Sequence, residues 1–262
     1  MDLTQSLLVE RHLAESFLRE RVVPGVEVHR DRDVVWIVHG GQAWRNAGIM
    51  VRFPAGGAGQ RLDTLVRRYE RHRRGMALWI SPSATPDNLP ALLHDRGLRC
   101  RKYYPAMVRH LAEHVPVRSR AAALEIRPVT DAAEYERLPH PAIGPITTPL
   151  RRVALERLGA LLANGAGRTH SFVAWLQGKP VGALELFVGK EAAGIHGLSV
   201  LDEYQGRGVG SALIEHACAV AAQQGAATMV LLATTEGQRL YAQRGFTEVA
   251  RFGYWYRSFQ RN

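Results

Sequence analysis

The residues of this chain best placed to do chemistry are Gln205, Gly206, Arg207, Gly208, Val209 and Gly210, a glycine-rich turn between an apolar run and an amphipathic stretch. Glycine accepts positive φ and lets a ligand approach the backbone with no side chain in the way. From Ile195 to Val200 the residues before the turn are apolar or small apart from His196 and Ser199, which reads as a buried strand. After the turn and Ser211, the residues Leu213, Ile214, Ala217, Val220 and Ala221 share one face of a helix that Gly225 ends. The first N–H groups of a helix have no intrahelical partner, and the helix dipole is positive there. The chemistry such a turn offers is anion binding, with a phosphate or pyrophosphate as ligand. Two other phosphate loops fail on spacing. A Walker loop needs Lys before Ser or Thr, and here Gly210 meets Ser211 directly. A dinucleotide GxGxxG needs its third glycine one residue later than Gly210.

Other elements must hold such a turn in place. TMVLLA, residues 228–233, is a further apolar run, and EGQRLYAQRGF, residues 236–246, a short helix that carries Tyr241. Thr235 and Gln238 have the spacing of a capping box for that helix. Upstream, HSFVAWLQGKPVGALELFVG reads as two strands around a QGKP turn.

Gln205, Gly208 and Gly210 form a Gln-x-x-Gly-x-Gly pattern, LSVLDEYQ precedes it, and LYAQRGF follows one strand later. In that order the motifs resemble the GNAT superfamily of acyl-CoA-dependent N-acyltransferases, over residues 124–262. The resemblance implies an α/β (α+β) fold, a mixed, mostly antiparallel sheet flanked by helices. It implies acetyl-CoA as co-substrate, with backbone N–H groups of Leu198 and Val200 on the pantetheine arm. The turn from Gln205 through Gly206, Arg207, Gly208, Val209 and Gly210 to Ser211 would hold the pyrophosphate, and Tyr241 would lie where its helix passes the sulfur.

Transfer of an acyl group from a thioester to an amine sets its own requirements. A free alkylamine has a pKa near 10 and must lose a proton before it attacks, and the thiolate leaves better if protonated. A base and an acid are needed on opposite sides of the carbonyl, and no metal or protein nucleophile is called for. The histidines show no metal-ligand spacing, so no metal is expected. Tyr241 is the expected acid, its phenol being protonated at neutral pH. The candidate base is His196, expected on the same alternating face as Leu198 and Val200. A histidine holding a backbone carbonyl is the competing reading. Glu185 reads either as a base facing the acceptor or as a solvent-side residue.

The first half of the chain repeats the order of the second. Residues 3–20 read as a helix, 34–38 and 49–53 as strands, 62–74 as a basic helix, MALWIS as a strand, LPALLHDRG as a short helix and CRKYYPAMV as a last strand. With Gly97 set on Gly245, LLHDRGLRCRKYYPAMVR runs beside LYAQRGFTEVARFGYWYR without a gap. Leu93 then stands in the place of Tyr241, and the loop at Gly56, Gly57 and Gly59 lacks the cofactor spacing. Two GNAT-like domains are expected: a degenerate copy at 1–115, without cofactor loop or acid, and the acetyl-CoA-dependent copy at 124–262. AEHVPVRSRAAA between them reads as a linker, and PHPAIGPITTP, residues 139–149, as an irregular loop, either beside the acceptor or a plain connector. Phe252, Tyr254, Trp255 and Tyr256 form an aromatic strand that lines the acceptor pocket or fills the seam between domains.

Composition bounds the partners. At 262 residues with 46% hydrophobic content the chain can build two ordinary cores. The formal charge of +10 is carried almost entirely by arginine, Lys102, Lys179 and Lys190 being the only lysines. RRYERHRR at 67–74 is interrupted by Glu70 and reads as a solvated helix face, so nucleic acid is not an expected partner. No stretch has the length of a membrane span or the shape of a signal peptide, and Cys100 and Cys218 are too few and too far apart to suggest export. A cytoplasmic protein acting on a small-molecule or peptide amine is the expectation, and nothing in the sequence speaks to oligomeric state. Two other classes fit parts of the pattern: an acyl-CoA sensor that does not turn over, and a nucleic-acid-associated protein using the arginine surface.

Overall fold

A computed structural model describes residues 2–39, 46–72, 75–111, 124–131, 148–164 and 167–259. The chain forms two compact units, Met1–Ala106 with Glu248–Asn262, and Met107–Thr247. The expected linker at 112–123 and most of the proline-rich loop, 139–147, lie outside the described residues. Division by contacts thus differs from the expected 1–115 and 124–262. Met107 to Leu111 at the end of one strand work in the second unit, and the last strand of the chain works in the first.

In the first unit, helix α1 (Leu3–Leu18) packs on the strands β1 (Val26–Arg30), β2 (Val35–His39) and β3 (Ala47–Ile49). Asp2 caps α1 by accepting the Gln5 N–H at 3.1 Å. β1 carries alternating charge and was not legible as a strand; it stands at the end of the strand order and pairs antiparallel with β2. Helix α2 (Ala58–Arg71) starts earlier than its apolar period suggests, with Gly57 as cap, and buries Leu62, Leu65, Val66 and Tyr69. The Tyr69 hydroxyl donates towards the carbonyls of Ile37 and Ala47, each 3.0 Å away, and full burial pushes its pKa up. Arg67, Arg68 and Arg71 of α2 are exposed, a solvated basic face. β4 (Met76–Ile80) runs parallel to β3, and α3 (Leu89–Asp95) leads to β5 (Arg99–His110).

In the second unit, β6 (Leu124–Pro128), β7 (Thr169–Leu176), β8 (Lys179–Val188) and β9 (Ala193–Val200) pair antiparallel in that order, and β10 (Thr228–Leu232) joins β9 in parallel. Helix α4 (Thr148–Asn164) buries Leu155 and Leu158 with Val173 and Ala183 on one face of this sheet. Helix α5 (Val209–Gln223) covers the other face through Val209, Leu213, Ile214, Ala217, Cys218 and Ala221. Gly182 makes that fit possible, since a Cβ there would lie 3.0 Å from Val209 and 3.2 Å from Leu213. Helix α6 (Thr235–Ala242) carries Tyr241 and is followed by β11 (Thr247–Arg257), which pairs antiparallel with β4 through Gly253–Arg257.

The aromatic residues of β11 therefore belong to the first unit. Tyr254 packs 4.8 Å from Trp79 and 6.2 Å from Tyr104 between ring centroids, Trp255 lies on the core around Trp36 and Leu65, and Phe252 is fully buried.

The two units share a local pattern. Gly97 and Gly245 both have positive φ, at 76° and 79°. Leu98 donates its N–H to Leu93 at 3.0 Å, as Phe246 does to Tyr241 at 3.1 Å. Both turns close a short helix with the same helix-end bond, the alignment read from the sequence.

Candidate active site

The turn expected to bind an anion lies directly ahead of a helix N-terminus. Leu201 leads into a single 3-10 turn at Asp202–Tyr204, and Gln205 folds its side chain back, donating to Asp202 Oδ1 at 2.8 Å and to the Val200 carbonyl at 3.3 Å. Gly206 and Gly208 take φ of 72° and 84°, which a residue with a Cβ adopts at a cost of about 1–2 kcal/mol. Gly208 is the cap of α5, and its carbonyl accepts the first helical bond, from Ala212 at 3.0 Å. Among the described residues, the N–H groups of 206–211 find no backbone acceptor. Ahead of α5 this leaves a row of donors in the positive field of the helix end. Arg207 adds a cation, its guanidinium 5.2 Å from the Tyr204 ring.

Gly210 serves a different purpose. A Cβ there would lie 3.1 Å from Leu240, 3.7 Å from Val200 and 4.0 Å from Leu198, so the first turn of α5 sits directly on β9 and α6. Four residues from three elements converge at this point, two of them expected pantetheine contacts and one adjacent to Tyr241.

Beside it the sheet opens. β9 pairs with β8 along most of its length, but with β10 only at Ala193 and Gly194. The edge of β9 from Ile195 to Val200 thus runs past the end of its parallel partner. Leu198 and Val200 lie on this stretch, half-buried against the core under α5.

Tyr241 is 8% exposed, packed edge-on against Phe246 at 5.7 Å, and burial pushes its phenol up to about 12. Gly237, one turn earlier, makes room for the ring: a Cβ there would lie 3.2 Å from it. Thr234 caps α6 by accepting the Gly237 N–H at 3.1 Å. The cap stands one residue before the expected Thr235, and with glycine at the third position no box forms with Gln238.

His196 is placed differently from its expected face. β8 meets β9 at Glu185↔Gly197 and next at Leu186↔Ile195, so His196 is the extra residue of a β-bulge. Cross-strand partners share a face. Ile195, Leu198 and Val200 therefore lie with Leu184 and Leu186 under α5, whereas the His196 ring stands 6.2 Å from that of Phe187 on the other face. Plain alternation fails there because one strand carries a residue more than its neighbour.

Glu185, opposite Gly197 on the His196 face, is not solvent-side. Arg157 of α4 holds both its carboxylate oxygens, at 2.8 and 3.1 Å, and the two side chains are 16% and 4% exposed. Nothing in the sequence spacing linked these two residues. Among the described residues no group of three or more His, Cys, Asp or Glu is arranged to hold a metal ion, and no helix is long and apolar enough to cross a membrane.

Residues 134–246 match the model of the acetyltransferase (GNAT) family. The fold is similar to that of a GCN5-related N-acetyltransferase from Kribbella flavida, with a TM-score of 0.68 and 17% identity over 94% of this chain and 95% of that one. It is also similar to a functionally unknown conserved protein from Staphylococcus epidermidis, with a TM-score of 0.65 and 13% identity over 94% of this chain and 99% of that one. A tandem GNAT protein from the clavulanic acid biosynthesis pathway aligns with a TM-score of 0.63 and 14% identity, over 92% and 85% of the two chains. A search of curated proteins finds no match. At these identities the structural likeness speaks for the fold, and the family match speaks for the chemistry. The family match thus marks a GNAT domain at residues 134–246, and the reaction of that family is acyl transfer from an acyl-CoA.

Proposed function

We propose that the second unit transfers an acetyl group from acetyl-CoA directly to a primary amine, small molecule or peptide, with Tyr241 as general acid and His196 as base. The observation that carries this reading is the convergence of Gly210, Leu198, Val200 and Leu240 at the start of α5, beside an open strand edge. The pyrophosphate is taken by the N–H groups of 206–211, and the pantetheine arm lies along β9 at Leu198 and Val200. Tyr241 belongs to the core under α5, while His196 is on the other face of β9. Donor and base thus stand on opposite sides of the sheet opening, as proton removal from the amine and proton delivery to the sulfur require. A phenol held up to about 12 stays protonated across the working pH range and returns readily to that state after each turnover.

The first unit is a degenerate copy that holds no cofactor. At the corresponding opening, where β3 ends its pairing with β4, Thr85 accepts from the Phe53 N–H at 3.2 Å and donates to the Val51 carbonyl at 3.1 Å. Its own chain takes up the strand edge. Glu10, fully buried, pins the place by accepting from Ser81 at 2.6 Å, Ser83 at 3.1 Å and Arg52.

Calorimetry with acetyl-CoA on the wild type and on Tyr241→Phe, with thioester hydrolysis and transfer to an amine panel followed in parallel, tests the reading. One site per chain, equal affinity and loss of turnover in Tyr241→Phe are the expected results. Absence of acyl-CoA binding would reduce 205–211 to a simple turn. Binding without transfer to any amine would favour a sensor.

A further inference from the structure

Arg109 lies near the end of β5 in the second unit and touches α5 and the turn that follows α6. Its guanidinium grips Glu215 of α5 as a fork, Nη1 to Oε1 at 3.0 Å and Nη2 to Oε2 at 3.3 Å, and Nη1 also approaches Cys218 Sγ at 3.6 Å. The two charged side chains are 10% and 11% exposed, so solvent screens the pair little. The rest of the same side chain backs the turn that ends α6: a Cβ on Gly245 would lie 3.6 Å from Nε and 3.8 Å from Cδ of Arg109. That turn holds the backbone of Tyr241, whose carbonyl accepts the N–H of Arg244 at 2.9 Å and of Phe246 at 3.1 Å. One strand residue away, the Val108 carbonyl accepts the Thr247 hydroxyl at 3.3 Å.

We propose that Arg109 is a positioning residue for the transfer step, fixing the helix that carries Tyr241 against the helix that opens at the cofactor turn. The proposal rests on the reading of Tyr241 as proton donor. A planar fork can do this where a lysine cannot, because two parallel bonds to one carboxylate fix orientation as well as distance. Half of the arrangement, the arginine against the turn glycine, is seen again in the first unit. With Gly97 set on Gly245, Arg109 falls on Arg257, and in the first unit Arg257 lies against Gly97 and donates to the Arg96 carbonyl at 2.9 Å. There Leu93 stands in the place of Tyr241 and Glu70 lies 3.9 Å from the guanidinium with no fork, so only the backing of the turn glycine recurs, behind a helix with no donor on it.

Arg109→Met and Arg109→Lys in the full chain test this, with acetyl-CoA as the probe. The turn is untouched, so affinity is expected to stay within about twofold, while turnover at saturating acetyl-CoA falls ~10–100-fold as the phenol drifts by about 1 Å. Ultraviolet titration of tyrosinate, with the same variant carrying Tyr241→Phe as the subtraction, isolates Tyr241. Its midpoint is expected to slide from about 12 towards the ordinary 10 as burial loosens. A merely structural arginine would lower stability without moving that midpoint in the folded protein. Arg109→Lys keeps the charge and most of the stem, and serves if the Met variant does not fold. An unmoved Tyr241 midpoint with wild-type turnover in a folded variant overturns the clasp. Full turnover in Tyr241→Phe alone would instead remove the donor reading, while the titration would still report on the clasp.

Discussion

Tyr241 and Glu185 show how little a residue's type says until its surroundings are known. Tyr241 is raised from 10 to about 12 because burial disfavours the phenolate. A folded value above the unfolded one means that its contribution is fully present below pH 10 and is lost as pH rises towards 12. Relative to Tyr241→Phe, the wild type is expected to lose about 2–3 kcal/mol across that window, at 1.36 kcal/mol per unit. Denaturant unfolding of both proteins at several alkaline pH values checks it; parallel curves would mean that the phenol is not shielded. Glu185 looked like a surface carboxylate in an alternating strand, yet Arg157 holds both of its oxygens. Removing one partner of a buried pair costs more than removing both, so Arg157→Met is expected to be destabilising and Arg157→Met with Glu185→Leu clearly less so. Equal losses in the single and double variants would show that the pair is not coupled.

At the scale of elements, the site depends on how one strand and two helices meet around a glycine turn. Gly208 and Gly210 are both needed, for different reasons. Gly208 has open space around it and a φ of 84°, so Gly208→Ala is expected to cost ~1–2 kcal/mol through the backbone, seen in stability and in acetyl-CoA affinity together. Gly210 has no unusual φ but sits on Leu240, the neighbour of Tyr241. Gly210→Val is expected to push α6 away and lower turnover more than affinity. Calorimetry paired with single-turnover kinetics separates the two, and identical profiles would refute the distinction. The bulge in β9 is the other decisive element: it aims His196 to the face opposite Leu198 and Val200, so that the proposed base and the proposed acid would flank the same opening.

At the scale of the molecule, the covalent order of the chain and its structural units disagree. β11 follows the Tyr241 helix directly and yet belongs to the first unit, beside β4. Ending the chain at Thr247 is therefore expected to damage the N-terminal unit: β4 keeps β3 but loses its antiparallel partner, and the fully buried Met76, Ala77 and Leu78 are left on an open edge prone to association. Size-exclusion chromatography and amide exchange on β4 would show it; native protection of β4 in the shortened chain would argue the opposite. Several features were legible in the sequence because they are local. The glycine turn, the period of α5, the Tyr241 helix and the ungapped match of Gly97 with Gly245 all follow from backbone preferences and side-chain spacing within a few residues. The resemblance to the family followed from these. What only the tertiary structure decided is non-local. The extra residue at His196 exists only relative to β8, the Glu185 ion pair only because α4 lies over that strand, and the unit to which β11 belongs only through its pairing with β4. Strand register and partner are chosen by contacts far apart in the chain, so no window of sequence contains them.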